Sequence, residues 1–84
     1  MPNRRLTESE RSQLSLFARN LRRFRQAKGV SQRALADEAG IDRTYVSALE
    51  RGVYSASITT IDKLAEVLEV EPAEFLRRPS RRVS

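Results

Sequence analysis

The sequence predicts an all-α domain of five helices, and three observations carry that expectation. Apolar residues recur at three- and four-residue steps in several separate stretches, and no stretch alternates apolar with polar as a half-buried strand does. Gly29, Gly40 and Gly52 fall where the first three stripes stop, while Ser31, Asp42 and Ser57 stand where new ones begin. Those are the residues that end and start helices, by left-handed backbone and by side-chain capping respectively. At 84 residues the chain has room for one small core and no second domain.

Each element follows from its own stripe. Residues 1–8 read as a flexible basic arm. A long first helix is expected from about Ser9 to Lys28, with Glu8 and Glu10 near its positive end. Its buried face is Leu14, Phe17, Ala18, Leu21 and Phe24 (or Arg25), and Arg19, Arg22, Arg23 and Gln26 cover the other side. The second helix spans about Gln32 to Ala39, buried through Leu35, Ala36 and Ala39. The third runs from about Asp42 to Arg51, with Val46 and Leu49 inward beside Ile41. Ser57 caps a fourth helix striped by Ile61, Leu64, Ala65 and Leu68. Glu71-Pro72 opens a short fifth helix with Phe75 and Leu76, proline fitting the first helical turn. The domain is therefore residues 9–76, and the tail 77–84, with four arginines, is expected to be disordered.

Composition narrows the chemistry. Cysteine and histidine are both absent, which excludes disulfides, the usual zinc fingers, and catalysis through an imidazole or thiol. No dense acidic cluster invites a metal, no cofactor site is evident, and an enzyme is not expected. The longest apolar runs are a few residues, and no apolar segment follows the N-terminal arginines, so a cytoplasmic protein is the expectation. The net charge of +5 is uneven: residues 1–30 carry +6, residues 31–70 carry −3 and residues 71–84 carry +2. Such a balance suits a nucleic-acid partner, whose phosphates supply most non-specific affinity, or equally a solubilising surface.

Residues 31–52 hold the motif with chemical content. Two short helices broken at Gly40 make a helix-turn-helix, in which the first helix braces across the DNA backbone and the second enters the major groove. A wheel of 100° per residue that buries Val46 and Leu49 turns Arg43, Thr44, Ser47, Ala48 and Arg51 outward. That face is short-chained, polar and basic. Arg43 lies at the N-terminal end, where base contacts concentrate, and arginine can pair bidentately with guanine.

These elements come in a familiar order: Ser31-Gln32 leading to Leu35-Ala36, then Ala39-Gly40-Ile41, Tyr45-Val46-Ser47, Leu49-Glu50, Gly52, and Leu64-Ala65. In that order they resemble the phage repressor/Cro-type helix-turn-helix family across residues 18–76. The segment Asp42 to Ser47 is particularly similar to restriction-modification controller proteins, which resemble this chain in size. The resemblance implies a repressor-like domain that regulates transcription as a homodimer on a double-stranded DNA operator of two-fold symmetry. It implies that Gln32 contacts phosphate and steadies the first reading residue, and that Arg43, Thr44 and Ser47 face the bases. Tyr45 would lie near groove-edge sugar or phosphate, and Arg51 and the loop 53–57 along the backbone. It also implies a semi-buried structural bridge between Arg25 and Glu50.

Two departures stand out. Glu71 replaces the serine or aspartate cap common before the proline, and the loop after Gly52 carries no Lys or Arg, leaving Arg4, Arg5 and the first helix to supply charge. Phe75 and Leu76 suit either the monomer core or a dimer seam. Two alternative roles fit the same residues: an antitoxin that represses its own operon while holding a toxin, and a helical adaptor that binds protein alone.

Overall fold

The computed structural model describes residues 5–79 and places four α-helices and one 3-10 helix around a single core. Helix α1 is Glu8–Lys28, α2 is Gln32–Ala39, α3 is Arg43–Glu50 and α4 is Ile58–Leu68. The expected fifth α-helix is instead a five-residue 3-10 helix, Pro72–Leu76. Its start explains the difference: Glu71 makes no side-chain capping bond, and so few residues cannot recover the cost of nucleating an α-helical ladder.

Helix boundaries follow local chemistry. Thr7 and Glu10 form a reciprocal capping box, the Thr7 hydroxyl accepting from the Glu10 N–H at 3.0 Å and the Glu10 carboxylate from the Thr7 N–H at 2.9 Å. Helix α1 therefore begins one residue earlier than the apolar stripe suggests. Ser31 and Ser57 cap α2 and α4 as expected. Gly40, at φ 71°, closes α2 in the left-handed region and turns the chain into α3.

The core is Leu21, Leu35, Val46, Leu49, Leu64 and Phe75, all essentially without exposure, wrapped by Phe17, Ala36, Ala39, Ala65 and Leu68. Helix α1 packs on α3 and on the 3-10 helix, while α2 packs on α3 and α4. Phe75 sits between Phe17 and Phe24, with ring centroids 5.2 and 5.7 Å away in tilted and edge-on geometry. Phe75 thus belongs to the monomer core, whereas its neighbour Leu76 remains exposed.

The buried arc of α1 is wider than its stripe. Leu16 and Asn20 are buried as well, because the chain after the 3-10 helix returns across them. The Asn20 amide donates to the carbonyls of Phe75 and Arg77 at 2.8 and 3.0 Å. Residues 1–4 and 80–84, which include Arg4 and half of the arginines of the basic tail, lie outside the described residues.

One polar knot ties three elements together. Arg25 donates from Nε and Nη2 to the two Glu50 oxygens at 2.6 and 3.0 Å, and from Nη1 to the Val30 carbonyl at 2.9 Å. Gln32 adds a further donor to Glu50 at 3.0 Å. The side chains of Arg25 and Glu50 are only 13% and 4% exposed, so neither charge can fall back on water. Breaking one partner of such a pair strands the other. Glu50→Ala is therefore expected to cost about 3–5 kcal/mol in a urea melt, and pairing it with Arg25→Met should recover much of the loss. Equal losses in the single and double variants would show that the pair is not the source.

Candidate nucleic-acid interface

Helix α3 presents its sides unequally. Val46, Leu49 and Glu50 are buried, Tyr45 and Ser47 are half-buried, and Arg43, Thr44 and Arg51 are exposed. The outward face expected from the wheel is present with one correction. Ala48 is only 7% exposed and does not face outward. It stands one turn before Gly52, where an added Cβ would lie 3.8 Å from the Ala18 Cβ and 3.7 Å from the Leu14 carbonyl. Helix α1 closes over that side of α3, which a wheel drawn on one helix alone does not reveal.

The start of α3 is held by Asp42. Its carboxylate accepts from the Thr44 N–H at 2.7 Å and from the Thr44 hydroxyl at 2.5 Å. The Thr44 side chain is thus oriented before any ligand arrives, with its oxygen lone pairs still able to accept. The Thr44 hydroxyl first, then the Thr44 N–H and the Arg43 guanidinium, hold the Asp42 carboxyl below its ordinary value of 3.8, while slight desolvation opposes them. Arg43 follows the cap directly, exposed and with no carboxylate at ion-pair distance among the described residues.

Tyr45 spans two roles. Its ring packs against the core and meets Tyr54 edge-on at 6.4 Å, and its hydroxyl donates to the Ser55 carbonyl at 3.5 Å. It therefore links α3 to the following loop, at the border of the exposed face. Gln32 stands apart from Arg43 and Thr44. Its amide donates to Glu50, at the far end of α3, and so serves the polar knot. The structure brings Arg43, Thr44, Ser47 and Arg51 onto one side of α3, with Tyr45 at the edge and Gln32 beyond the opposite end.

The loop after Gly52 is apolar at its surface: Val53 and Tyr54 are exposed, and Ile58, the first residue of α4, is 85% exposed. Sequence reasoning placed this loop along the DNA backbone and noted its lack of basic residues, but not its apolar surface. It also missed that Arg51 shares a cleft with Arg19, Arg22 and Arg23 of α1, although their three- and four-residue spacing was available as a signal. Among the described residues no group of His, Cys, Asp and Glu could hold a metal, and no helix is long and apolar enough to cross a membrane.

The fold and this face define a helix-turn-helix protein, and comparison with known sequences agrees. The helix-turn-helix family pattern matches residues 21–75, and the chain belongs to that family. It is 42% identical over 69 residues to the Neisseria hypothetical transcription factor of Neisseria meningitidis, spanning 82% of this chain and 65% of that relative. It is 39% identical over 62 residues to control protein C.BamHI of Bacillus amyloliquefaciens, spanning 73% and 76% of the two chains. The crystal structure of the restriction-modification controller protein C.AhdI from Aeromonas hydrophila superposes with a TM-score of 0.74 at 45% identity, covering 76% of this chain and 97% of that one. The resemblance to controller proteins read from residues 42–47 thus extends over most of the domain.

Asp42 makes stability pH-dependent at this site. Because its folded value is lowered, its contribution is complete above pH 3.8 and is lost as pH falls through the folded value. Asparagine caps helices as well as aspartate but does not titrate there. Thermal melts at decreasing pH should therefore show any advantage of wild type over Asp42→Asn vanishing in acid. An advantage that grows as the pH falls would contradict the assignment.

Proposed function

We propose that this chain is a sequence-specific transcriptional regulator that binds double-stranded DNA as a homodimer, at an operator with two-fold symmetry. The observation that carries this reading is the exposed side of α3, where Arg43, Thr44, Ser47 and Arg51 stand together on a helix capped at one end and pinned at the other. A two-turn helix with a short, polar, basic outer side suits the major groove. The similarity to C.BamHI and C.AhdI supports a controller role within a restriction-modification system, in which occupancy follows protein concentration through coupled dimerisation and binding.

In this reading Arg43 supplies the principal base contact, to guanine O6 and N7. Thr44 and Ser47 contact bases or nearby phosphate, and Tyr45 and Arg51 meet the backbone at the groove edge. Gln32 contributes through Glu50, by fixing how α2 meets the end of α3. Two copies of α3 then lie about one DNA turn, roughly 34 Å, apart.

Selection of bound fragments from random DNA tests the reading, since it yields site, symmetry and half-site spacing together. A two-fold symmetric consensus is expected. On that site Arg43→Ala should cost about 1–3 kcal/mol and relax preference at one base pair per half-site. Equal losses on the selected site and on random DNA would remove Arg43 from base reading.

A further inference from the structure

Arg19, Arg22, Arg23 and Gln26 stand three and four residues apart on α1, all exposed on one side of the helix. Two clefts meet there. One runs from Arg19, Arg22 and Arg23 to Arg51 and Gly52 at the end of α3. The other runs from Arg19 and Arg23 to Arg77 and Arg78 on the segment after the 3-10 helix. Arg19 and Arg23 line both, so six arginines form one continuous band from the end of α3, across α1, to the C-terminal segment. Asn20 fixes the far end of the band, since its amide holds the carbonyls of Phe75 and Arg77.

Among the described residues the band is neutralised only at Arg77. Its clefts contain two carboxylates, and both are engaged: Glu50 by Arg25 and Gln32, and Glu74 by Arg77 at 2.9 and 3.0 Å. Among the described residues Arg19, Arg22, Arg23, Arg51 and Arg78 have no carboxylate at ion-pair distance. Arg23 lies over the Phe24 ring at 4.8 Å, which fixes its stem and leaves its charge available. Like charges three and four residues apart repel one another and weaken a helix. The fold therefore gains little from the stripe and loses something by carrying it.

We propose that this band is a second DNA-backbone contact, gripping phosphates that run past the end of α3 and outside the groove that α3 reads. The proposal rests on the DNA-binding reading above and assigns to α1 and the C-terminal segment a role that the helix-turn-helix does not supply. A guanidinium fork matches phosphate oxygens two at a time. Arg19 and Arg23 are separated by about 6 Å along the α1 axis, enough for their guanidinium groups to meet different phosphates of one strand, which recur every ~3.4 Å of duplex axis. An acidic protein surface would be served by the same charges. Continuity with Arg51 favours DNA, because the band begins where the reading helix ends. It also provides charge that the loop 53–57 lacks.

The test is the salt dependence of binding to a random-sequence duplex, with hydroxyl-radical footprints on the selected site. The variant Arg19→Gln/Arg22→Gln/Arg23→Gln should lower the slope of log affinity against log salt by about 2–3 per protomer, at roughly 0.9 for each phosphate no longer neutralised. Its footprint should shorten at the outer edges while its base preference stays that of wild type. The double variant Arg19→Gln/Arg22→Gln leaves Arg23 stacked on Phe24 and should lower the slope by about 2, which keeps the result independent of that packing. Circular dichroism melts establish that both variants are folded. A wild-type slope and footprint in the folded triple variant overturn the band as a DNA contact, and more so if transcriptional control fails in parallel, which would point to an acidic protein partner. If wild type itself shows no salt-dependent binding to DNA, the DNA-binding reading falls and the band falls with it.

Discussion

The interaction on which the rest of this structure depends is the clasp of Glu50 by Arg25 and Gln32. Helix α3 has eight residues, about two turns, and a helix of that length does not persist in water on its own propensity. Its position has to be imposed. Glu50 is its last residue, and the carboxylate there is held by α1 through Arg25 and by α2 through Gln32. Because Arg25 also bonds the Val30 carbonyl, the same side chain fixes the turn that delivers α2. Three elements are thus set relative to one another by one carboxylate and four hydrogen bonds. Buried charge pairs often add little net stability compared with apolar packing, but they tolerate few alternative arrangements. Here that intolerance fixes the rotation of α3, since a helix turned by a fraction of a turn would present different side chains.

The opposite end of α3 is fixed by a cheaper device. Asp42 caps the helix and, in doing so, orients Thr44, so one carboxylate both satisfies an orphan N–H and positions a polar group of the exposed face. Between the two ends Val46 and Leu49 supply the apolar anchoring, and Ala48 and Gly52 allow α1 to approach closely. The exposed residues are left with almost no structural duty. Arg43 in particular contributes to no ion pair among the described residues. A surface relieved of structural duty can vary without unfolding the domain, which is the condition under which a reading face can diverge on a constant fold.

What the sequence made legible was whatever depended on near neighbours along the chain. The stripes of α2 and α4, the caps at Ser31, Asp42 and Ser57, and the turn at Gly40 all follow from residues within a few positions of one another. The Arg25–Glu50 bridge was legible only through family resemblance, since nothing local relates residues 25 apart. What stayed hidden was set by packing between distant segments. Leu16 and Asn20 are buried by the returning C-terminal segment, and Ala48 by α1, so no periodicity confined to one helix could assign them. Gln32 is the instructive case at the candidate site. Its place at the start of α2 was evident, but its hydrogen-bond partner depends on where α3 ends in space. The 3-10 geometry of Pro72–Leu76 had a local sign, the missing cap at Glu71, whose consequence is decided by how Phe75 must enter the core.

Charge is arranged on a different plan from packing. The motif itself, residues 31–52, carries four acids against three bases, because Asp42 and Glu50 are needed for its geometry and Asp37 and Glu38 lie on the outer side of α2. A motif so balanced cannot also be the main source of electrostatic attraction to a polyanion. The proposed arginine band on α1 would supply that attraction from residues free of geometric duty. The turns of α1 that cover α3 and Phe75 through Phe17, Leu21, Phe24 and Arg25 display Arg19, Arg22 and Arg23 on their opposite, exposed side. The division follows from the physics of the two tasks. Base reading requires side chains held in one geometry against the base edges, whereas phosphate attraction acts over about a Debye length, roughly 8 Å in physiological salt, and tolerates mobile arginines. Precision is concentrated where the polar knot and the cap can enforce it, and charge is placed where nothing needs to be enforced.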